Sequence, residues 1–190
     1  MYADFSFYDS IIFDYDNTIA KIPIDWIEAR RDYKIFLDSN FPDLEIDPNM
    51  RVDEMERSAL LKYPHQDNLV FSFRNDLESS LAGNHEVIPE TIELIRNLES
   101  KELFIISNNL RNTVVGGLGR FGLTSMFKRI IGVDDVGMPK PSPRAWELLL
   151  ETDPGVALNS LFVGDNDTTD GAFSKNAGIP FYNINNSDSK

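Results

Sequence analysis

A run of three apolar residues at positions 11–13 leads directly into Asp14 and Asp16, two aspartates spaced two positions apart. A short apolar run that ends at a turn signal is typical of an interior strand in a parallel sheet. Ligands bind such sheets just beyond the carboxyl ends of the strands. The stretch therefore predicts a buried strand that ends at a polar site. The alternative is a simple turn at Asp16-Asn17, in which Asp14 accepts hydrogen bonds from local backbone amides.

Strand and helix patterns alternate along the chain from residue 87 onward. The predicted strands are 103–107, 129–133, 161–164 and 181–184. The predicted helices are one that begins at about Pro89, then 110–121, one from Ser142-Pro143 to residue 151, and 168–177. This alternation favours an open parallel sheet with right-handed crossover connections.

Three stretches of helical apolar spacing interrupt the pattern between the first strand and the second. They begin near residues 25, 52 and 70 and are separated by Pro42, Pro48 and Pro64. Residues 20–86 are therefore predicted to form a small helical unit. A chain of 190 residues suits one core that carries such an insertion, and the core would comprise residues 1–19 and 87–190.

The chain is strongly acidic, with 31 Asp and Glu residues against 18 Lys and Arg and a net charge of −13. Sequence-independent binding of nucleic acid needs a basic face, so we expect no nucleic-acid partner. An acidic chain that binds a phosphate group must supply positive charge locally. A divalent cation and one well-placed lysine would do so.

The chain has no cysteine, which excludes disulfides, thiolate metal sites and cysteine nucleophiles. No basic N-terminal region followed by an apolar run is present, so no signal peptide is predicted. No apolar stretch approaches the roughly 20 residues that span a bilayer. We therefore expect a cytoplasmic protein without a membrane partner.

Further polar residues lie where predicted strands end or predicted helices begin. They are Ser107 and Asn108, Lys140, Asp165 and Asp170. With the Asp-x-Asp-x-Thr motif at positions 14–18, they form four pieces in a fixed order that together cover the whole chain. This set resembles the haloacid dehalogenase-like (HAD-like) hydrolase superfamily, in its phosphatase branch.

The resemblance implies a fold. It is an α/β, Rossmann-like three-layer sandwich with a mostly parallel central sheet and an inserted α-helical cap, which would be residues 20–86. The first strand would be central. Asp14, Ser107 and Asp165 would then converge on one edge of the sheet.

The resemblance also implies catalytic roles. Asp14 would be the nucleophile, Asp16 would protonate the leaving group and later accept a proton from water, and Lys140 would pair with Asp14 and the phosphoryl group. Three further residues would act in binding the phosphate group of the substrate, namely Thr18, Ser107 and Asn108. Thr18 would hold the geometry of the site through its hydroxyl. Ser107 and the backbone amide of Asn108 would bind the phosphoryl group.

A Mg²⁺ cofactor is implied as well, since hard oxygen ligands and a substrate phosphate are what this ion prefers. Its expected ligands are the side chains of Asp14 and Asp165 and the backbone carbonyl of Asp16. Asp170 would lie behind these ligands or bind the ion through a water. Asp167 is predicted to cap the following helix and not to bind the ion.

The implied function is a Mg²⁺-dependent phosphomonoester hydrolase that acts on a small phosphorylated metabolite through an aspartyl-phosphate. A dehalogenase would not need an acid at Asp16, because a halide ion leaves without a proton whereas an alkoxide needs one. A sugar-phosphate mutase of the same fold would have a histidine near position 26, where Trp26 stands. A non-catalytic phosphate- or partner-binding protein would be expected to lack the nucleophile, the lysine or a metal ligand. The sequence leaves the substrate and the oligomeric state open.

Other residues that could carry chemistry have an ordinary structural explanation. His65 and His85 have no partner at metal-ligand spacing. Arg30 and Arg31 could reach over a substrate from the helical unit, but on an amphipathic helix they are expected on the solvated face. The glycine-rich segment 116–119 lies inside a helical pattern and not between a strand and a helix start, so no phosphate loop is predicted there.

Overall fold

The computed structural model describes residues 4–188 of the chain. The strands in this range are β1 (Ser10–Phe13), β2 (Ala20–Lys21), β3 (Glu86–Val87), β4 (Glu102–Ile106), β5 (Arg129–Ile131), β6 (Ser160–Gly164) and β7 (Phe181–Asn183). Five of them form a parallel sheet in the order β5-β4-β1-β6-β7, and β2 and β3 form a separate antiparallel pair. Residues 1–3 and 189–190, which the sequence assigns to the core, lie outside the described range.

The α-helices in the same range fill the connections between these strands. They are α1 (Trp26–Asn40), α2 (Val52–Lys62), α3 (Asp67–Ser80), α4 (Pro89–Asn97), α5 (Arg111–Arg120), α6 (Val133–Val136), α7 (Arg144–Thr152) and α8 (Ala172–Ala177). Within residues 4–188, no helix has the length and apolar character needed to cross a membrane.

Strand β1 lies at the centre of the sheet, between β4 and β6. Its apolar side chains are fully buried, with Ile11 and Phe13 packed on one face and Ile12 on the other. Ile12 pairs in register with Phe104 of β4 and Phe162 of β6. The prediction of a buried interior strand is confirmed. Because these strands are parallel, their carboxyl ends meet at one edge of the sheet.

Helices cover both faces of this sheet. Ile95 of α4 and Leu118 of α5 pack on the face that carries Ile11, whereas Leu149 of α7 and Phe173 of α8 pack on the opposite face. Burial of apolar surface in these two layers contributes roughly 25 cal/mol per Å² to folding. The predicted α/β, Rossmann-like three-layer sandwich with its mostly parallel sheet is confirmed.

Helices α1, α2 and α3 pack around a core of their own. Its fully buried side chains include Tyr33, Leu37, Met55 and Ala59. Helix α1 begins where predicted, because the Asp25 carboxylate accepts hydrogen bonds from the first free amides of the helix. We call α1, α2 and α3 with their connections the helical unit.

The antiparallel pair β2–β3 joins the two ends of the helical unit, with Ala20 opposite Val87. This pair was not predicted from the sequence. Strands of two residues are too short to show an alternating pattern, so periodicity carries no signal for them.

Two predicted helix starts differ from the structure. The helix predicted from Ser142-Pro143 begins at Arg144, because the Ser142 backbone N–H is held in a turn by the carbonyl of Pro139 at 3.1 Å. The cap predicted at Asp167 is wrong. Asn166 caps the helical turn Asp167–Gly171 that precedes α8 instead, since its side-chain oxygen accepts hydrogen bonds from the N–H groups of Thr168 and Thr169 at 2.9 and 3.2 Å.

Candidate active site

Three strand ends bring polar side chains to one cavity of about 350 Å³. Asp14 follows β1, Ser107 follows β4 and Asp165 follows β6. The other predicted site residues that line this cavity are Asp16, Asn108, Lys140 and Asp170. A cavity of this size is typical of a site for a small metabolite.

Lys140 is a buried cation on the floor of the cavity. Its Nζ donates hydrogen bonds to Oδ1 of Asp14 and Oδ1 of Asp170, both at 2.7 Å. Asn108 fixes its backbone, because the Asn108 Oδ1 accepts a hydrogen bond from the Lys140 N–H at 2.7 Å. Lys140 is only 4% exposed, so it is not a surface lysine.

Burial controls the protonation of these groups. Desolvation raises the pKa of Asp14 above its usual range, and the charge of Lys140 opposes that shift. Desolvation and the neighbouring Asp170 raise the pKa of Asp165 to about 6. Desolvation lowers the pKa of Lys140, but Asp14 and Asp170 raise it by more, so the lysine is a cation.

The acidic groups of this floor fit a divalent cation. Asp14, Asp165 and Asp170 each offer a carboxylate oxygen, and these three oxygens lie within 4.8 Å of one another. Their crowding leaves an excess of negative charge that Lys140 alone does not balance, and hard oxygen donors suit Mg²⁺. Asp170, predicted to lie behind the ligands, is brought into the same group as the other two.

Asp16 and Thr18 occupy different positions relative to the cavity. Asp16 lines it, and its Oδ1 accepts a hydrogen bond from the Ile22 backbone N–H at 3.0 Å. Desolvation raises the pKa of Asp16 to about 6. Thr18 is fully buried and is not part of the cavity wall, and its hydroxyl has no hydrogen-bond partner within residues 4–188.

Asn17 makes the turn between these two residues possible. Its φ angle is 58°, in the left-handed region that few residues other than glycine tolerate. Asparagine is one of those few. Its N–H also donates to the Ala20 carbonyl at 2.7 Å, which closes the turn.

The helical unit holds the loop that follows β4. The Ser107 hydroxyl donates to Oδ1 of Asn109 at 3.1 Å, and the Asn109 amide donates to Glu78 of α3 at 3.1 Å. Glu78 also accepts a hydrogen bond at 3.1 Å from the backbone N–H of Leu110, the residue that precedes α5, and so fixes the start of that helix. The position of Ser107 therefore depends on a residue of the helical unit.

Glu78 belongs to a buried ionic cluster that was not predicted from the sequence. Arg74 of α3 is 3% exposed, and Glu56 of α2 and Glu78 are fully buried. The Arg74 guanidinium donates to Glu56 Oε2 at 2.9 Å and also to the backbone carbonyl of Asn108. Desolvation raises the pKa of both glutamates, and Arg74 opposes it. The available signal was the spacing, since Arg74 and Glu78 follow the buried Val70 at intervals of four.

Helices α1 and α2 and the residue before α2 contribute another part of the cavity wall. Its members are Trp26, Arg30, Arg51, Val52 and Asp53. The prediction that Arg30 belongs to a solvated face is wrong, because helix α1 presents position 30 to the cavity. The prediction holds for Arg31, which is exposed and paired with Glu28 and Asp32.

The two histidines do not line the cavity. His65 is exposed, and His85 is buried with its Nδ1 2.9 Å from the Tyr15 hydroxyl. Gly117 of α5 packs against this pair, and a Cβ at position 117 would overlap both the Tyr15 hydroxyl and the His85 ring. The glycine at 117 is thus explained by close packing, in agreement with the prediction that segment 116–119 is not a phosphate loop.

The family model described as haloacid dehalogenase-like hydrolase matches residues 11–184, which include every cavity residue described above. The protein belongs to this family. Among its relatives, the pyrophosphatase PpaX of Bacillus velezensis is 33% identical over 110 residues, which cover 56% of this HAD-like chain and 49% of the relative. The HAD-like chain thus spans about half the length of that relative.

Solved structures share the fold of this HAD-like hydrolase. YfnB from Bacillus subtilis, a proposed HAD-hydrolase whose structure is bound to magnesium, matches with a TM-score of 0.59 at 24% identity, over 96% of this chain and 91% of that one. A HAD phosphatase from Thermococcus onnurineus matches with a TM-score of 0.60 at 23% identity, over 96% and 88% of the two chains.

Proposed function

We propose that the protein is a Mg²⁺-dependent phosphomonoester hydrolase that acts on a small phosphorylated metabolite through an aspartyl-phosphate. The observation that carries this proposal is the pairing of the buried Asp14 with Lys140 at 2.7 Å, in a cavity that Asp16 also lines. Phosphoryl transfer needs a nucleophile, a proton donor and compensating positive charge, and this cavity supplies residues for each. Two of the similar proteins are named as a pyrophosphatase and a phosphatase, which supports the reaction class.

In the first step, a carboxylate oxygen of Asp14 bonds to the substrate phosphorus while the bond from phosphorus to the leaving oxygen breaks. Asp16 gives its proton to that oxygen, so the product leaves as an alcohol. Lys140 and the backbone N–H of Asn108 bind the phosphoryl oxygens, and the Ser107 hydroxyl turns from Asn109 to donate to them as well. The step ends with a phosphorylated Asp14.

In the second step, water attacks phosphorus and Asp16 accepts a proton from it. The bond between phosphorus and the Asp14 oxygen breaks, and inorganic phosphate leaves. Both aspartates return to their starting states, so the residues complete a cycle.

The Mg²⁺ ion would be held by Asp14, Asp165 and Asp170, together with the backbone carbonyl of Asp16. When bound, it neutralises the negative charge of the phosphoryl oxygens. We propose that Thr18, which lies behind the cavity wall, supports the loop of residues 14–18 and does not touch substrate.

We also propose that residues 20–86 act as a cap over a catalytic core made of residues 1–19 and 87–190. The core carries all of the proposed catalytic residues. The helical unit contributes Trp26, Arg30 and Arg51 to the same cavity. Side chains of the cap would then select the substrate.

The test of this proposal is phosphate release from a panel of phosphomonoesters and pyrophosphate, with and without Mg²⁺. Chelation of the metal is expected to lower the rate at least about tenfold, and Mg²⁺ is expected to restore it, because the acidic floor repels phosphate without a cation. The panel should include sugar phosphates, nucleoside monophosphates and p-nitrophenyl phosphate. Folded protein that releases no phosphate from any of them would contradict the hydrolase and favour a sugar-phosphate mutase or a non-catalytic binding protein.

Asp16→Asn is expected to slow hydrolysis of an alkyl phosphate more than that of p-nitrophenyl phosphate. General acid catalysis contributes about 10²–10⁴-fold, and nitrophenolate leaves well without a proton. The measurement is kcat/KM, which reports on the first step alone when that step is irreversible. Asp76→Asn, the same change at an exposed position, is the control. Equal losses on both substrates would show that Asp16 is not the acid.

A further inference from the structure

Arg30 is the cation of the cavity wall that has no carboxylate partner among the described residues. Four cationic side chains line the cavity: Arg30, Arg51, Arg74 and Lys140. Three of them are paired with carboxylates, namely Arg51 with Asp53 at 3.1 Å, Arg74 with Glu56 at 2.8 Å and Lys140 with Asp14 at 2.7 Å. Within residues 4–188, the Arg30 side chain has neither an ion pair nor a hydrogen bond.

The Arg30 side chain also has a buried donor without an acceptor. Its Nε is shielded from solvent and has no hydrogen-bond partner in the described range. Buried donors are nearly always satisfied in folded proteins, so an unsatisfied one requires an explanation. An acceptor on a molecule bound in the cavity would satisfy this donor. The adjacent Arg31 is exposed and bound to two carboxylates, as is usual for a surface arginine.

The helix that carries Arg30 is held firmly beside the cavity. Trp26, one turn earlier on α1, also lines the cavity and packs against both the core of the sheet and the core of the helical unit. Arg30 therefore borders the same space as Asp14 and Lys140 from a fixed element. A cavity of about 350 Å³ has room for a phosphoryl group and a further small group.

We infer that the substrate carries a second anionic group, a carboxylate or a phosphate, and that Arg30 binds it while Asp14 attacks the phosphoryl group. The identity of the reacting group rests on the proposed function, but the second anion site rests on Arg30 itself. Guanidinium groups bind both kinds of oxyanion through paired hydrogen bonds. The other three cations of the cavity have carboxylate partners already, which leaves Arg30 to set this preference.

The test compares two phosphonates that cannot be hydrolysed as phosphate esters. Phosphonoacetate carries a carboxylate beside its phosphonate, and methylphosphonate carries the phosphonate alone. Titration calorimetry in the presence of Mg²⁺ is expected to show that the wild-type protein binds phosphonoacetate at least about tenfold more tightly. Arg30→Gln is expected to remove most of this preference, and Arg31→Gln, the matched control on the neighbouring residue, is expected to keep it.

Arg30→Lys keeps the charge and is expected to recover part of the preference, and circular dichroism establishes that each variant is folded. Equal affinity of the wild type for both phosphonates, or an equal loss of both affinities in Arg30→Gln, would overturn the inference. Phosphate release is measured separately on the same samples. If the preference for phosphonoacetate depends on Arg30 but no phosphate is released from any substrate, the anion site is upheld and the hydrolase is refuted. If phosphate is released but the preference is absent, the hydrolase is upheld and the anion site is refuted.

Discussion

Replacement of Asp14 by asparagine is expected to abolish phosphate release while leaving the fold intact. The change removes the oxygen proposed to attack phosphorus with little change of shape, and the loss is expected to be at least roughly 10³-fold in kcat. Lys140 keeps its hydrogen bond to Asp170 at 2.7 Å in the variant, so its charge stays paired. The measurements are phosphate release under saturating Mg²⁺ and thermal unfolding followed by circular dichroism.

Folding of this variant is not expected to suffer, because burial already disfavours the ionised form of Asp14 in the native protein. A neutral amide of the same shape avoids that cost of desolvation. Asp76→Asn, on the exposed side of α3, controls for the loss of one acidic group. A rate for Asp14→Asn above about a tenth of wild type would show that another group attacks phosphorus.

The parts of the fold that follow from local pattern could be predicted. Residues 11–13 predict a buried interior strand because every side chain in the run is apolar and the run stops at Asp14. Pro89 and Gly178 mark a helix start and a helix end because proline lacks an amide hydrogen and glycine tolerates φ of 73°. The cap at Asn166 was missed because Asn166 and Asp167 are both good capping residues, and the choice between them depends on the backbone.

The floor of the candidate site could be predicted for a related reason. Polar residues after parallel strands share one sheet edge, and the family resemblance implied that the first strand is central, so Asp14, Ser107 and Asp165 were expected to converge. Lys140 came from the family resemblance alone. Its two contacts, to Asp14 and Asp170, join positions 126 and 30 residues apart and follow from no local pattern.

The contribution of the helical unit could not be predicted from periodicity. An amphipathic pattern places a charged residue on the polar face, but it does not say whether that face meets solvent or another part of the chain. Arg30 and Arg31 are neighbours in sequence, and only the packing of α1 against the sheet separates their surroundings. The roles of Arg74 and Glu78 likewise depend on Glu56 and Asn109, which only the tertiary fold brings beside them.

The cluster of Glu56, Arg74 and Glu78 connects the stability of the fold to the geometry of the site. Two buried carboxylates share one guanidinium, and the same guanidinium donates to the carbonyl of Asn108, which adjoins Ser107, a proposed phosphate-binding residue. A buried ion pair adds little stability compared with an apolar replacement of the whole set, but removal of one partner is costly. Loss of Arg74 should therefore affect both the stability of the fold and the geometry of the site.

Arg74→Met is expected to lower the free energy of unfolding by roughly 3–5 kcal/mol, because it leaves Glu56 and Glu78 buried without a cation. This is a large part of the free energy of unfolding of a typical native protein, which is about 5–15 kcal/mol. The measurement is urea unfolding at neutral pH followed by circular dichroism. Phosphate release per folded molecule is expected to fall as well, since Asn108 loses its contact.

Two further variants separate the ionic explanation from a simple loss of packing. Arg96→Met makes the same replacement at an exposed position of α4 and is expected to change stability by less than about 0.5 kcal/mol. Glu56→Gln combined with Arg74→Met removes one of the two stranded charges and is expected to recover part of the loss, because the remaining cost then comes from Glu78 alone. If the double variant were less stable than Arg74→Met, the destabilisation would come from packing around the arginine stem and not from unpaired charge.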